Sequence, residues 1–95
     1  MDNHALNTIG LAYRARKIVL GEEVYHRIRK VRLIITASDI SEKSRERIDK
    51  KCHYYDIQNI DRFTCAELSS AIGRNNVRLM GIIDDGFKDI LLKNL

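Results

Sequence analysis

Gly21, Arg27 and Lys30, preceded by Arg14, Arg16 and Lys17, form the group in this sequence whose residue types and spacing suit chemistry with another molecule. Glycine has no Cβ, so a foreign backbone can approach the chain closely there. Arg27 and Lys30 lie three apart and share a face if the segment is helical. The distribution of charge sharpens the reading. Residues 14–32 hold seven basic side chains (Arg29 and Arg32 complete the set) against two acids, Glu22 and Glu23. Everything after Arg32 holds ten of each sign and before Arg14 there is only Asp2, so the formal net charge of +4 is this segment's surplus of five less Asp2. Clustered Lys and Arg displace condensed counterions from phosphates, so a neutral body with one basic segment points to a polyanion. A solvated helix face is the competing explanation.

Other chemistries find little support. Gly21 stands where a phosphate loop would, but dinucleotide and triphosphate motifs need several glycines. Glu22 and Glu23 would repel a free phosphate and fit dipole compensation at a helix start instead. His53 adjoins Cys52, yet neighbours on a helix point about 100° apart and make no nucleophile–base pair. No serine sits in GxSxG, and no His, Cys and Asp set has metal-ligand spacing. The expectation is a non-enzymatic protein with no cofactor and no metal. Aromatic content of 6% and the lack of an RNP-type strand argue against a single-strand stacking platform. Structured RNA, held at its phosphates and read at exposed base edges, fits better.

No apolar run approaches the roughly 20 residues that span a bilayer. Met-Asp-Asn-His at the start has neither a basic n-region nor a following apolar region. Cys52 and Cys65 form no CxxC and read as buried helix-face residues. A cytoplasmic protein is expected, with no membrane partner.

The elements that must position these residues follow from the apolar period. Residues 3–14 read as a helix through Leu6, Ile9 and Tyr13, behind an Asp2 or Asn3 cap. Residues 17–20 are a short strand stopped by Gly21. Residues 22–30 are a second helix with Val24 and Ile28 on one face. Residues 32–37 are a strand without alternation, hence covered on both sides. Asp39-Ile-Ser-Glu42 has capping-box spacing and opens a helix to about Tyr55, with Ile48, Cys52 and Tyr55 inward. A weaker strand spans 57–62. Thr64-Cys-Ala-Glu67 is a second capping box, and its helix closes at Gly73. Residues 77–83 are a strand, and Asp84-Asp85 starts a last helix carrying Phe87, Ile90, Leu91 and Leu95. The fold class is α/β: a three-layer α/β/α sandwich in one domain (1–95), with a mixed sheet of about four strands and parallel pairs at its centre.

Several segments also occur in a known order: Gly-Leu-Ala-Tyr-Arg-Ala-Arg-Lys (10–17), Gly21-Glu-Glu, Ala37-Ser-Asp39, Lys51-Cys-His-Tyr-Tyr55, Leu68-Ser-Ser-Ala-Ile-Gly73 and Asp84-Asp-Gly-Phe87. Together they resemble the bacterial YlxQ-like branch of the kink-turn RNA-binding ribosomal-protein family. That family includes an archaeal large-subunit ribosomal protein and a eukaryotic small nucleolar and spliceosomal RNA protein. The resemblance covers nearly the whole chain and implies the same sandwich. It also implies RNA contacts at a Gly-x-Asn-Glu-x-x-Lys segment, where Gly21 matches the glycine, Glu22 the variable position and Arg27 the lysine. Glu23 replaces the asparagine and Val24 the glutamate, which moves the acid by about 100° around a helix. Further contact regions are implied at Gly73-Arg-Asn-Asn76 and at Ser41. Two departures stand out: the stretch from Gly21 to Asp39 is a few residues shorter than in that branch, and Ser69 replaces a glycine.

The combined expectation is recognition of a kink-turn-like RNA, ribosomal or otherwise, by a monomer that can act on the ribosome. Gly21 admits the RNA, Glu22 and Glu23 accept from base edges, and Lys17, Arg27 and Lys30 hold phosphates. Ser41 lies at the margin, and Gly73, Arg74, Asn75 and Asn76 close over an exposed base. The alternative is a protein-interaction module of the same fold that docks an acidic partner in translation or ribosome assembly.

Overall fold

The computed structural model describes residues 3–95, so the expected Asp2 cap lies outside the described residues. Helix α1 (His4–Arg14) is capped by Asn3, whose side chain accepts from the Leu6 N–H. Strand β1 (Ile18–Leu20) and helix α2 (Glu22–His26) follow, then a 3-10 turn (Ile28–Lys30) and strand β2 (Leu33–Thr36). Helix α3 (Glu42–Tyr55), strand β3 (Asn59–Ile60), helix α4 (Cys65–Ile72), strand β4 (Leu79–Ile82) and helix α5 (Asp85–Lys93) complete the order.

The four strands form one sheet in the order β1-β4-β2-β3. Leu33, Ile34 and Ile35 of β2 are wholly buried, and successive side chains feed opposite layers. Leu33 and Ile35 join Ile18, Met80 and Ile82 beneath α1, α4 and α5. Ile34 joins Val19, Val24, Ile28 and Ile48 beneath α2 and α3. Each such side chain contributes roughly 1.5–3 kcal/mol on leaving water, which fixes the register of a strand only four residues long. The sandwich of three layers is therefore present.

Four expectations need correction. The parallel pair is β2 with β3, at one edge, and β4 at the centre runs antiparallel to both its neighbours. β1 and β2 do run the same way, but β4 inserts between them. The second helix does not run on to Lys30: it stops at His26, and Arg27 leads into the 3-10 turn. Asp39 does not cap α3, because Ser41 does, accepting from the Ser44 N–H at 3.2 Å. Asp39 instead accepts from the Cys65 N–H at 2.9 Å, across 26 residues, at the start of α4. There it adds to the Thr64–Glu67 capping box, which forms as expected. Finally, Ile90 points outward at 49% exposure, and both cysteines are only half-buried.

Candidate nucleic-acid interface

Gly21 ends β1 at φ 55° and ψ −129°, a conformation open to glycine and strained for any other residue. Its N–H donates to the Leu79 carbonyl at 3.0 Å, which ties the β1–α2 corner to the start of β4. A Cβ at Gly21 would meet nothing within 4 Å. The corner is therefore open to solvent on the side a Cβ would occupy. Beneath it lies a cavity of 160 Å³ with Thr36 and Ile48 in its wall and Arg47 and Arg78 as its cations.

Sequence reasoning passed over both arginines. Arg47 reaches from α3 and binds Glu22 with both ends of its fork, at 3.0 and 3.2 Å. Its guanidinium carbon stacks 3.8 Å from the Tyr25 ring centroid. The hydrogen bonds to Glu22 raise the Arg47 pKa further, so its charge is permanent. Burial raises the Tyr25 phenol, although the Arg47 charge beside it pulls the other way. The local signal available in sequence was thin: Glu22 and Tyr25 share a face three residues apart, but their partner comes from another helix.

A second group lies along the outer edge of β1. Tyr13, Arg14, Arg16 and Arg27 line one surface beside Ile18 and Val19. Arg27 is thus at the beginning of β1, not beside Gly21 at its end, and its Nε sits 3.2 Å from Glu23. Glu23 also lies 3.5 Å from His26. Both pairs are exposed and worth only a few tenths of a kcal/mol. Lys17 is exposed, and it has no ion-pair partner among the described residues, as is also true of Arg14 and Arg16.

Arg16 is unusual in its backbone. Its N–H donates to Tyr13 O and the Lys17 N–H to Ala12 O, the paired bonds of a Schellman turn. That turn puts Arg16 at φ 63°, a position where glycine is normal. A cation is held in a strained site facing the basic edge.

The loop 73–76 comes to the same structure from α4. Gly73 closes α4 at φ 68° and Asn76 follows at φ 60°. Buried Ser69 takes over from the glycine implied by the resemblance: its Oγ donates to Cys65 O at 2.7 Å and accepts from the Val77 N–H at 2.9 Å. This anchors the loop's far end. Helix α4 lies close against α1, where a Cβ on Gly10 would sit 2.8 Å from the Ala71 carbonyl oxygen. At the loop, Arg74 donates to the Tyr13 hydroxyl at 3.1 Å, so it meets the basic edge through that ring.

The structure therefore brings together Gly21, Glu22, Arg47 and Arg78, and separately Arg27 and Arg74 with Arg14 and Arg16, while Lys17 is exposed just before β1. The two groups are joined through β1 and β4. Asn75 and Asn76 are exposed on the loop. Lys30 faces a hollow shared with Arg27, His26 and Tyr55, on the α3 side. Ser41 is occupied as the α3 cap. Val24 is wholly buried, so the position where the resemblance implies glutamate belongs to the core here. Among the described residues no group of three or more His, Cys, Asp or Glu could hold a metal. No described helix is long and apolar enough to cross a membrane.

No family model matches this sequence. Two bacterial RNA-binding proteins named YlxQ are similar to it. That of Enterococcus faecium is 36% identical over 86 residues, covering 87% of this chain and 82% of its own. That of Bacillus subtilis is 33% identical over 90 residues, covering 92% and 90%. A solved structure from Bacillus halodurans C, of unknown function, superimposes with a TM-score of 0.88 at 29% identity, over 97% of this chain and 96% of that one. The Giardia lamblia 15.5kD RNA binding protein superimposes with a TM-score of 0.76 at 15% identity, over 95% and 80%, a likeness of fold alone.

Proposed function

The chain belongs to the YlxQ family, whose matched members carry the name of RNA-binding proteins, and from that premise we propose that it binds structured RNA at the β1–α2 corner and the loop 73–76. The observation that carries the proposal is the β1–β4 pairing. It sets Gly21 against Leu79, two residues beyond Val77, so the positive-φ corner at Gly21 and the segment that follows positive-φ Asn76 lie toward the same end of the sheet. Ligands of open α/β sheets bind outside the strand ends.

Each residue has a role within this reading. Gly21 admits a sugar–phosphate backbone. Lys17, Arg27, Arg14, Arg16 and Arg74 neutralise phosphates along the β1 edge. Glu22 and Glu23 are already ion-paired, but a carboxylate has about four acceptor sites, so each can also accept from a guanine edge. Arg47 holds Glu22 in place for that contact. Asn75 and Asn76 reach an extruded base. A sharply bent duplex with an unpaired base, the kink-turn type found in ribosomal RNA, offers both a close phosphate and an exposed edge. The reaction class is binding alone, with no cofactor required.

The test is a salt titration of RNA affinity for wild type, Arg74→Ala and the double variant Lys17→Ala with Arg27→Ala. Each phosphate contact removed lowers the slope of log K against log salt by roughly one. Unchanged affinity and slope in the double variant would remove the β1 edge from the interface. A loss of acidic-protein binding with RNA binding intact would favour the protein-interaction module.

A further inference from the structure

The outer face of α3 carries a stripe that the net charge of its segment conceals. Lys43, Arg47, Lys50 and Tyr54 recur at spacings of four, three and four, which confines them to roughly 60° of the helix circumference. Lys51 flanks the stripe, and all five line one open groove of 990 Å³. Lys43, Lys50 and Lys51 have no ion-pair partner among the described residues. Tyr54 is 79% exposed, and among the described residues its ring contact is the edge-to-face one with Tyr55, at 4.8 Å and 77°. The ring thus presents most of its surface to solvent beside unpaired cations.

The groove is continuous with the corner at Gly21. Arg47 belongs to both, since it also walls the cavity beneath that glycine. From Lys43 to Tyr54 the stripe extends roughly 16 Å, the length of a short run of nucleotides. Cations spaced along a line suit a phosphodiester backbone, and an exposed ring suits an unpaired base, since a base in a duplex has no free face to offer.

We propose that this face of α3 binds a single-stranded RNA segment leaving the structured RNA at the β1–α2 corner, with Lys43, Lys50 and Lys51 on its phosphates and Tyr54 stacked on one of its bases. The inference rests on the RNA-binding reading above. It extends the footprint to a flank that the corner and the loop 73–76 do not touch.

The experiment compares a blunt kink-turn RNA with the same RNA bearing a short single-stranded extension at its 5′ or its 3′ end. Wild type binds one extended form at least five-fold tighter than the blunt form, the low end of what stacking one base contributes. Tyr54→Ala loses that gain and Tyr54→Phe keeps it, while both bind the blunt RNA as wild type does. The double variant Lys50→Ala with Lys51→Ala loses the gain and lowers the salt slope by roughly two. A single-stranded oligonucleotide alone reads the stripe without the corner: its weak binding is lost in Tyr54→Ala and kept in Tyr54→Phe. Equal affinity of wild type for blunt and both extended RNAs overturns the proposal. So does unaltered oligonucleotide binding in Tyr54→Ala, whatever the blunt RNA does. Failure of wild type to bind the blunt RNA, with the oligonucleotide still bound through Tyr54, refutes the corner and leaves the stripe.

Discussion

Arg16 trades stability for a position on the basic edge. A side chain at φ 63° costs about 1–2 kcal/mol that glycine does not incur, partly offset by the freedom glycine loses on folding. Arg16→Gly is therefore expected to raise stability by about 0.5–1 kcal/mol in chemical denaturation while weakening RNA binding and lowering the salt slope by about one. A variant that gains stability with RNA affinity unchanged would mean Arg16 serves only the turn. Titration gives a second prediction at this scale. Burial, with Asp49 nearby, pushes the Cys52 thiol from 9.0 up to about 11. Between those values the unfolded chain has released a proton that the native one keeps, so stability falls as pH rises through the window. Tyr25, also raised by burial, adds the same trend from pH 10 upward. Melting temperatures of wild type and Cys52→Ala from pH 8 to 11 check this: the variant shows the shallower decline, and parallel curves would exclude the thiol as its source.

Among the elements, helix α4 carries the loop and depends on two side chains that work at opposite ends. Ser69→Ala leaves the buried Val77 N–H without its acceptor and is expected to cost about 1–3 kcal/mol, read as a lowered denaturation midpoint. Asp39→Ala removes a carboxylate from the first turn of α4 and costs about 1 kcal/mol. A neutral effect would show Thr64 and Glu67 to be sufficient. These two residues also mark how far the sequence can be read. The Thr64–Glu67 box was legible because both of its bonds lie within three residues, and β2 because a short β-branched run without alternation reads as a strand covered on both faces. Asp39 was misassigned because its partner is distant in sequence and close only after folding. The place of β4 between β1 and β2 was hidden for the same reason: apolar period identifies a strand but not its neighbour. Arg27 fell on the wrong flank of the corner because the helix was expected to continue past His26.

Over the whole molecule, the +4 charge is not confined to the segment that supplies it arithmetically. Folding gathers Arg14, Arg16, Arg27 and Arg74 about Tyr13, and separately gathers Lys43, Arg47, Lys50 and Lys51 on α3. Residues 33–95 sum to zero along the chain, yet four of their ten cations collect on one side of α3. Low aromatic content and the lack of an RNP-type strand argue against a stacking platform, and the proposed role of Tyr54 asks for one exposed ring at the end of a basic stripe instead. The central claim is that the corner at Gly21 and the loop 73–76 act together on bent RNA. Its most direct test is equilibrium binding of a kink-turn RNA against a plain duplex of equal length at two salt concentrations. The account predicts tighter binding of the kink-turn at both salts, with the preference surviving the higher one, because base-edge and close-backbone contacts are less salt-sensitive than phosphate pairing. Equal affinities that fall together with salt would contradict it.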